Sequence, residues 1–254
     1  MIPCKNRKIY KGKEIIIYMK TIILSGGEIG KSLYGVLSKE YECAIYDINL
    51  DKCVGNYGED RNFEIMHVCI PYSDNFIKQV EEYKNKYKPK YVVIHSTVPV
   101  GTSRKVGAMH SPVVGIHPNL SKSLITFTKF LGGLQASEVA DYFRRASIKV
   151  YLTDKQETTE YMKIMSTTFY GVMIEFHKQV KEDCRNLELP FEMFTLWNDN
   201  YNKGYEKLGY PEYKKPILVP MMKKISQHCV LPNTYFLEND FTKLLKNRNN
   251  EKSK

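Results

Sequence analysis

The stretch "TIILSGGEIG", residues 21–30, decides the fold. Thr21 to Leu24 are β-branched or apolar, and glycines follow at 26, 27 and 30. A short apolar run bounded by glycine reads as a buried strand turning into a helix, here "IGKSLYGVLSK" (29–39). A dinucleotide-binding turn has the pattern G-x-G-x-x-G. Gly27 and Gly30 occupy its second and third glycine positions, and Ser25 stands in the first. Such a turn must bend tightly after the strand, let its backbone approach a pyrophosphate, and aim free helix amides at it. Gly26 is expected to supply the freedom that Ser25 lacks. Ser25, Gly26, Gly27, Glu28, Ile29 and Gly30 thus form a candidate pyrophosphate cradle. The second strand ends in "YDIN", and Asp47 lies 17 residues beyond Gly30. An acid there takes the ribose hydroxyls of NAD and repels the 2′-phosphate of NADP. The plain alternative is a tight structural turn followed by a surface Asp.

Outward from the turn, "CAIY" (43–46), "IMHVCI" (65–70), "YVVIH" (91–95), "VVGI" (113–116) and "IKVYL" (148–152) read as further buried strands. Helix candidates lie at 29–39, 73–87, 101–109 and 136–146. Such alternation demands crossover connections and a mostly parallel sheet. The expected fold class is α/β: a Rossmann-type doubly wound parallel sheet over residues 19–152, then a smaller all-helical domain over 153–254. Residues 1–18 are read as an N-terminal extension, either an extra strand or an arm.

The pattern changes after residue 152. "TDKQ" (153–156) has the spacing of a capping box, with Thr153 accepting from the amide at 156 and Gln156 reaching back. Met162, Met165, Phe169, Val172, Phe176 and Val180 then recur at three- and four-residue steps. They mark one apolar stripe on a helix of about 30 residues. That helix, over 154–183, is expected to be the spine of the second domain and its homodimer contact. Further helix is expected at 191–207 and 234–247.

The formal charge of +10 points first to nucleic acid, but it sits at the ends. Residues 1–20 carry +5 and residues 241–254 carry +4, so the middle is nearly neutral. Basic tails of this kind are solvated, and no nucleic-acid partner is expected. The six cysteines are scattered without a CxxC pair, which suits reduced cytoplasmic thiols and no metal. No apolar stretch is long enough to span a membrane.

Two stretches carry a resemblance to a known family. "HSTVPVGTSRKV" (95–106) resembles the S-T-V-P-x-G-T segment of the UDP-glucose/GDP-mannose dehydrogenases, within the 6-phosphogluconate dehydrogenase-like superfamily. "CIPYSDN" (69–75) is similar to the family's strand–Pro–Thr segment along the cofactor, which implies cofactor contacts at Ile70, Pro71, Ser96 and Thr97. "ETTEYMKIMSTTFYGVMIEFHKQVKEDC" (157–184) resembles the family's long central helix, with Glu160 and Lys163 as its E-x-x-K. "SQHCVLPNTYFL" (226–237) looks like its catalytic cysteine loop, with Cys229 as the thiol. The family fold adds a C-terminal nucleotide-sugar domain, which this reading expects to be missing.

The resemblance implies that Lys163 stabilises an oxyanion and that Cys229 lies near the substrate as nucleophile. Thr97 and Asn119 would position substrate or cofactor. Thr167 stands where the family has an assisting Asn. Asn233 replaces an Asp, and Asn119 replaces the Glu that serves as base. An amide cannot take a proton, so a two-electron step is expected rather than oxidation to an acid. "GIHPNL" (115–120) also resembles the G-x-H-P segment of prephenate dehydrogenase, which would make His117 the base of the hydride step. His228 beside Cys229 would lower the thiol's pKa. The expected function is NAD-dependent hydride transfer to or from an alcohol carbon of a sugar nucleotide or small hydroxy acid, between the two domains. The alternative is a degenerate dinucleotide-binding regulator of the same fold.

Overall fold

The computed structural model describes residues 6–10, 13–17, 19–58, 62–116, 118–219 and 230–251. Its strands are β1 (Asn6–Tyr10), β2 (Lys13–Ile17), β3 (Lys20–Leu24), β4 (Glu42–Tyr46), β5 (Ile65–Val68), β6 (Tyr91–Ile94), β7 (Met109–His110), β8 (Lys129–Gly132) and β9 (Val150–Thr153). Its helices are α1 (Glu28–Leu37), α2 (Phe76–Tyr87), α3 (Thr102–Lys105), α4 (Leu120–Thr126), α5 (Ala136–Arg145), α6 (Gln156–Asn186), α7 (Phe191–Lys207), α8 (Leu231–Thr234) and α9 (Asp240–Glu251). They fall into two units, Met1–Lys163 and Ile164–Lys254.

In the first unit, seven strands form one sheet in the order β4-β3-β5-β6-β7-β8-β9. Every neighbouring pair is parallel except β7 with β8. β3 is interior and therefore apolar on both faces. Ile23 joins the core shared with α1 and α5, while Ile22 and Leu24 join the core shared with α2. The alternation follows from the two-residue period of a strand. Within the N-terminal extension, β1 and β2 pair antiparallel with each other, Asn6 opposite Ile17.

A chain of buried polar groups crosses this sheet. The Ser111 carbonyl accepts from His95 Nδ1 at 2.8 Å and from Lys129 Nζ at 3.0 Å. A carbonyl only accepts, so a neutral His95 must accept at Nε2, from His67 Nδ1 at 2.8 Å. His67 Nε2 then accepts from the Tyr142 hydroxyl at 3.1 Å, whose oxygen takes the Thr21 proton at 2.9 Å. Every member is satisfied, as burial requires. Burial, with Lys129 adding to it, holds His67 down to about 3 and His95 well below its ordinary value.

Several sequence expectations are corrected. "VVGI" (113–116) is not a strand; β7 lies four residues earlier. Pro112 has no amide to continue a ladder, so the apolar run after it leaves the sheet, with Val114 and Ile116 exposed. β8 and α4 were not expected. The helix expected at 101–109 is only α3, stopped as Gly107 turns to a φ of +61° and donates to the Arg104 carbonyl. No capping box is seen among the described residues; the Thr153 hydroxyl instead donates to the Lys155 carbonyl at 2.8 Å. The helix expected at 234–247 is split into α8 and α9, with Asn239 Oδ1 capping the Thr242 amide at 2.9 Å.

The second unit holds α7, α8, α9 and most of α6. The expected apolar stripe of α6 is only partly covered: Val172 packs against Val230 and Leu245, and Met165 and Val180 are half-buried. Met162, Phe169 and Phe176 are 57%, 60% and 57% exposed. Within this unit the buried residues of α6 are Ile164, Thr168, Gly171, Glu175, His177 and Lys178. Gly171 lies so close to Val230 and Leu245 that a Cβ would meet them at 2.5 and 2.8 Å.

Candidate functional site

The glycine turn follows β3 and opens α1. Ser25 itself adopts a φ of +83°, the conformation that a glycine would take without strain. This corrects the expectation that Gly26 supplies the freedom. Gly26 is needed for another reason: a Cβ there would lie 2.6 Å from the Lys52 carbonyl oxygen. A Cβ on Gly30 would lie 1.9 Å from the Ser25 carbonyl oxygen, so helix and turn can meet only through glycine. Gly27 differs. Its φ is −71°, and a Cβ there would meet only Ser25 Oγ, at 3.4 Å. Nothing in the chain's own packing demands a glycine at this point. α1 has no side-chain cap, and Glu28 and Ile29 fill its first turn beside Gly30.

Asp47 closes the turn from the end of β4. Its Oδ2 accepts from the Gly26 amide at 2.7 Å and its Oδ1 from the Asn49 amide at 2.9 Å. Burial alone would raise this carboxyl. The amides of Asn49 and Gly26, with Lys52 and the Ser25 hydroxyl, outweigh it and hold the group ionised below the usual carboxylate range. Cys53 braces the same loop: the Asp47 amide donates to its sulfur at 3.3 Å.

The ends of β5 and β6 meet beside this turn. The Ser96 hydroxyl donates to the Ile70 carbonyl at 2.5 Å, tying two predicted cofactor segments together. Pro71 is exposed and Thr97 half-buried, and the Thr97 hydroxyl makes no hydrogen bond among the described residues. Two residues of α6 hold the 96–103 segment. Glu160 accepts from the Gly101 amide at 2.5 Å and the Ser103 amide at 2.8 Å. Burial raises Glu160 against the pull of those bonds. His110 Nε2 donates to the Ser96 carbonyl at 3.1 Å, while its Nδ1 meets the Thr159 hydroxyl at 2.8 Å. His110 escaped the sequence reading; its only signal was a histidine inside an apolar run, as at His67 and His95.

The remaining predicted residues fall in separate places. Lys163 donates from Nζ to the Val113 carbonyl at 2.9 Å. Asn119 is exposed at the start of α4, and its carbonyl accepts from the Ser123 hydroxyl at 2.9 Å. In the second unit, Asn233 Nδ2 donates to the Thr167 hydroxyl at 3.2 Å, so the structure brings that pair together. His117, His228 and Cys229 lie outside the described residues. No group of three or more His, Cys, Asp or Glu among the described residues could hold a metal ion. No helix among them is long and apolar enough to cross a membrane.

No family model and no curated protein matches the sequence. Solved structures do match it. A UDP-D-ManNAc dehydrogenase from Pyrococcus horikoshii superposes with a TM-score of 0.75 at 16% identity, over 91% of this chain and 68% of that one. A 3-hydroxyisobutyrate dehydrogenase from Mycobacterium tuberculosis gives 0.68 at 11% identity, over 92% and 94%. Psf3 bound to NADP+ and 2-OPP gives 0.57 at 11% identity, over 91% and 93%. At such identities the likeness is one of fold, and the fold implied by the sequence resemblance is the one these dehydrogenases share.

Proposed function

We propose that the chain is an NAD-dependent oxidoreductase that moves hydride between an alcohol carbon of a small substrate and nicotinamide. The substrate is a sugar nucleotide or a small hydroxy acid. Gly27 carries this reading: its missing side chain is unexplained by packing and leaves backbone open at the start of α1, where a pyrophosphate binds. The dehydrogenase neighbours and the NADP+-bound one support a nicotinamide dinucleotide. Asp47, held ionised beside the turn, favours NAD over NADP.

When bound, nicotinamide supplies the hydride acceptor. The chain's residues do the rest. The α1 amides and Gly27 hold the pyrophosphate, and Asp47 takes the ribose hydroxyls. Ser96, Thr97, Ile70 and Pro71 line the path beyond the turn, with Ser96 anchored from both sides. Lys163 offers its ammonium to the substrate oxygen. Thr167 and Asn233 position the substrate, as does Asn119. Because both amides replace acids, the chain lacks the base that thioester hydrolysis would need, and the reaction stops after one hydride. His117 and Cys229 keep the roles that the resemblance implies, as hydride-step base and substrate-side thiol. The exposed Met162, Phe169 and Phe176 support a homodimer contact along α6.

The same two amides favour a second reading, a dinucleotide-binding protein without turnover. Calorimetry with NAD and NADP, followed by a screen for NADH fluorescence over sugar nucleotides and hydroxy acids, separates the readings. We expect heat with NAD, weaker heat with NADP, and turnover lost in Lys163→Ala. Silence with both dinucleotides overturns both readings. Binding without turnover across the panel selects the second.

A further inference from the structure

The corner where α6 passes into α7 leaves large apolar side chains in water. Leu187 and Leu189 of the connection are exposed, as are Met193, Leu196 and Trp197 of α7. The last three share one helix face at steps of three and four. Trp197 is the chain's single tryptophan and is 72% exposed, where tryptophan is ordinarily well covered. The surroundings are acidic: Lys181 to Asp199 holds five acids and two bases, a net −3. Asp199 pairs with Lys203 at 2.6 Å, but the exposed Glu188 and Glu192 have no ion-pair partner among the described residues. The opposite chemistry lies at the start of the chain. Residues 1–20 hold six Lys/Arg against one Glu, with Ile15, Ile16, Ile17 and Tyr18 in an unbroken run. β1 and β2 there form a two-stranded sheet of their own, an element that is marginal in water until something covers it. The other basic end, 241–254, has no apolar run longer than Leu244 and Leu245, and Leu245 is already buried.

We propose that the α6–α7 corner is a docking surface for residues 1–18 of a second copy of this chain. The isoleucine run covers the leucine, methionine and tryptophan side chains, and the basic residues between Lys5 and Lys13 meet the acids around Glu188 and Glu192. Removing apolar surface from water supplies the affinity, while opposite charge steers the encounter and fixes the register. Two copies that exchange these segments close a two-fold pair and leave no free corner to extend a fibre. The exchange rests on the two-copy reading drawn from the α6 stripe and adds a second contact to the same pair, since α6 runs from that stripe to this corner. It does not depend on the proposed activity.

The test reads Trp197 fluorescence from the full chain, because the single tryptophan reports on this corner alone, with sedimentation run beside it. The parent should emit at the short wavelength of a covered tryptophan, and high salt should move the emission toward that of an exposed one. Two charge-reversed variants give the decisive comparison. Lys8→Glu with Lys11→Glu and Lys13→Glu takes the positive charge from the start of the chain; Glu188→Lys with Glu192→Lys takes the negative charge from the corner. Each variant alone should show an exposed tryptophan, and an equal mixture of the two should regain the short wavelength, because each then offers the other an opposite charge. All five substitutions are of exposed or terminal charges, and circular dichroism checks that helix content is kept. A parent that sediments as a monomer ends both this proposal and the α6 stripe reading. A dimer whose tryptophan emits as exposed, or ignores the charge reversals, or fails to recover in the mixture, overturns this proposal alone.

Discussion

Two glycines of one turn separate folding from binding. A Cβ at position 30 would sit 1.9 Å from the Ser25 carbonyl oxygen, so Gly30→Ala must shift backbone, at ~1–3 kcal/mol or more. A Cβ at position 27 meets nothing closer than 3.4 Å, so Gly27→Ala should leave the unfolding midpoint within ~0.5 kcal/mol of the parent. It should still weaken NAD binding at least tenfold, because the methyl group stands where pyrophosphate must approach. Denaturant titration beside calorimetry checks both halves. A Gly27→Ala variant that binds NAD normally would show that the turn is only structural. The sequence made the glycine pattern visible but not this division of labour. Spacing assigns Gly27 and Gly30 to one motif, and only the neighbouring atoms tell which one the chain itself requires. Ser25 was misread for a related reason: the pattern suggested that a glycine next door would absorb the turn, yet the serine takes the left-handed conformation itself.

At the level of elements, the strands that pack both faces were plain in the sequence. β3, β4, β5 and β6 are short apolar runs, and nothing competes with that reading. β8 was hidden because its first residue is a lysine, which ordinarily marks a surface. α6 was located well, and its apolar stripe is only partly covered: Val172 packs against Val230 and Leu245, while Phe169 and Phe176 face out. Within the second unit most of its buried residues are polar or small, namely Thr168, Gly171, Glu175, His177 and Lys178. Hydrophobic periodicity finds an apolar face without saying whether the same chain covers it. The exposed stripe yields an expectation of its own. Phe169→Glu together with Phe176→Glu should leave helix content and the unfolding midpoint nearly unchanged, and should convert a dimer to a monomer in sedimentation. If the parent chain sediments as a monomer, the stripe is not a contact between copies.

Over the whole molecule, buried bases set how stability answers to pH. His67 and His110 are both held down to about 3 by burial, against 6.5 in the unfolded chain. A group depressed in the folded state gives no penalty above pH 6.5. Below it, the unfolded chain takes a proton that the native core refuses, and stability falls as pH falls toward 3. Each loses about 1.4 kcal/mol per pH unit, so the two together lose about 4 kcal/mol between pH 6.5 and 5. His95, lowered by the same burial, adds in the same direction, and so does Asp47, whose carboxyl is held below its usual range. Glu160, raised by burial, works the other way. Lys129 extends the trend upward: with a native value of about 7 against 10.5 unfolded, its burial cost shrinks as pH rises from 7 to 10.5. A total stability of ~5–15 kcal/mol leaves little reserve against losses of this size. Urea midpoints measured from pH 8 to 5 should therefore fall steeply, with the alkaline side the more stable. His110→Gln, which keeps a donor for the Ser96 carbonyl, should flatten the slope by about one histidine's share. A midpoint unchanged over that range would mean that the buried imidazoles take up protons in the native core, and the polar chain beneath the sheet would then need a different arrangement of donors.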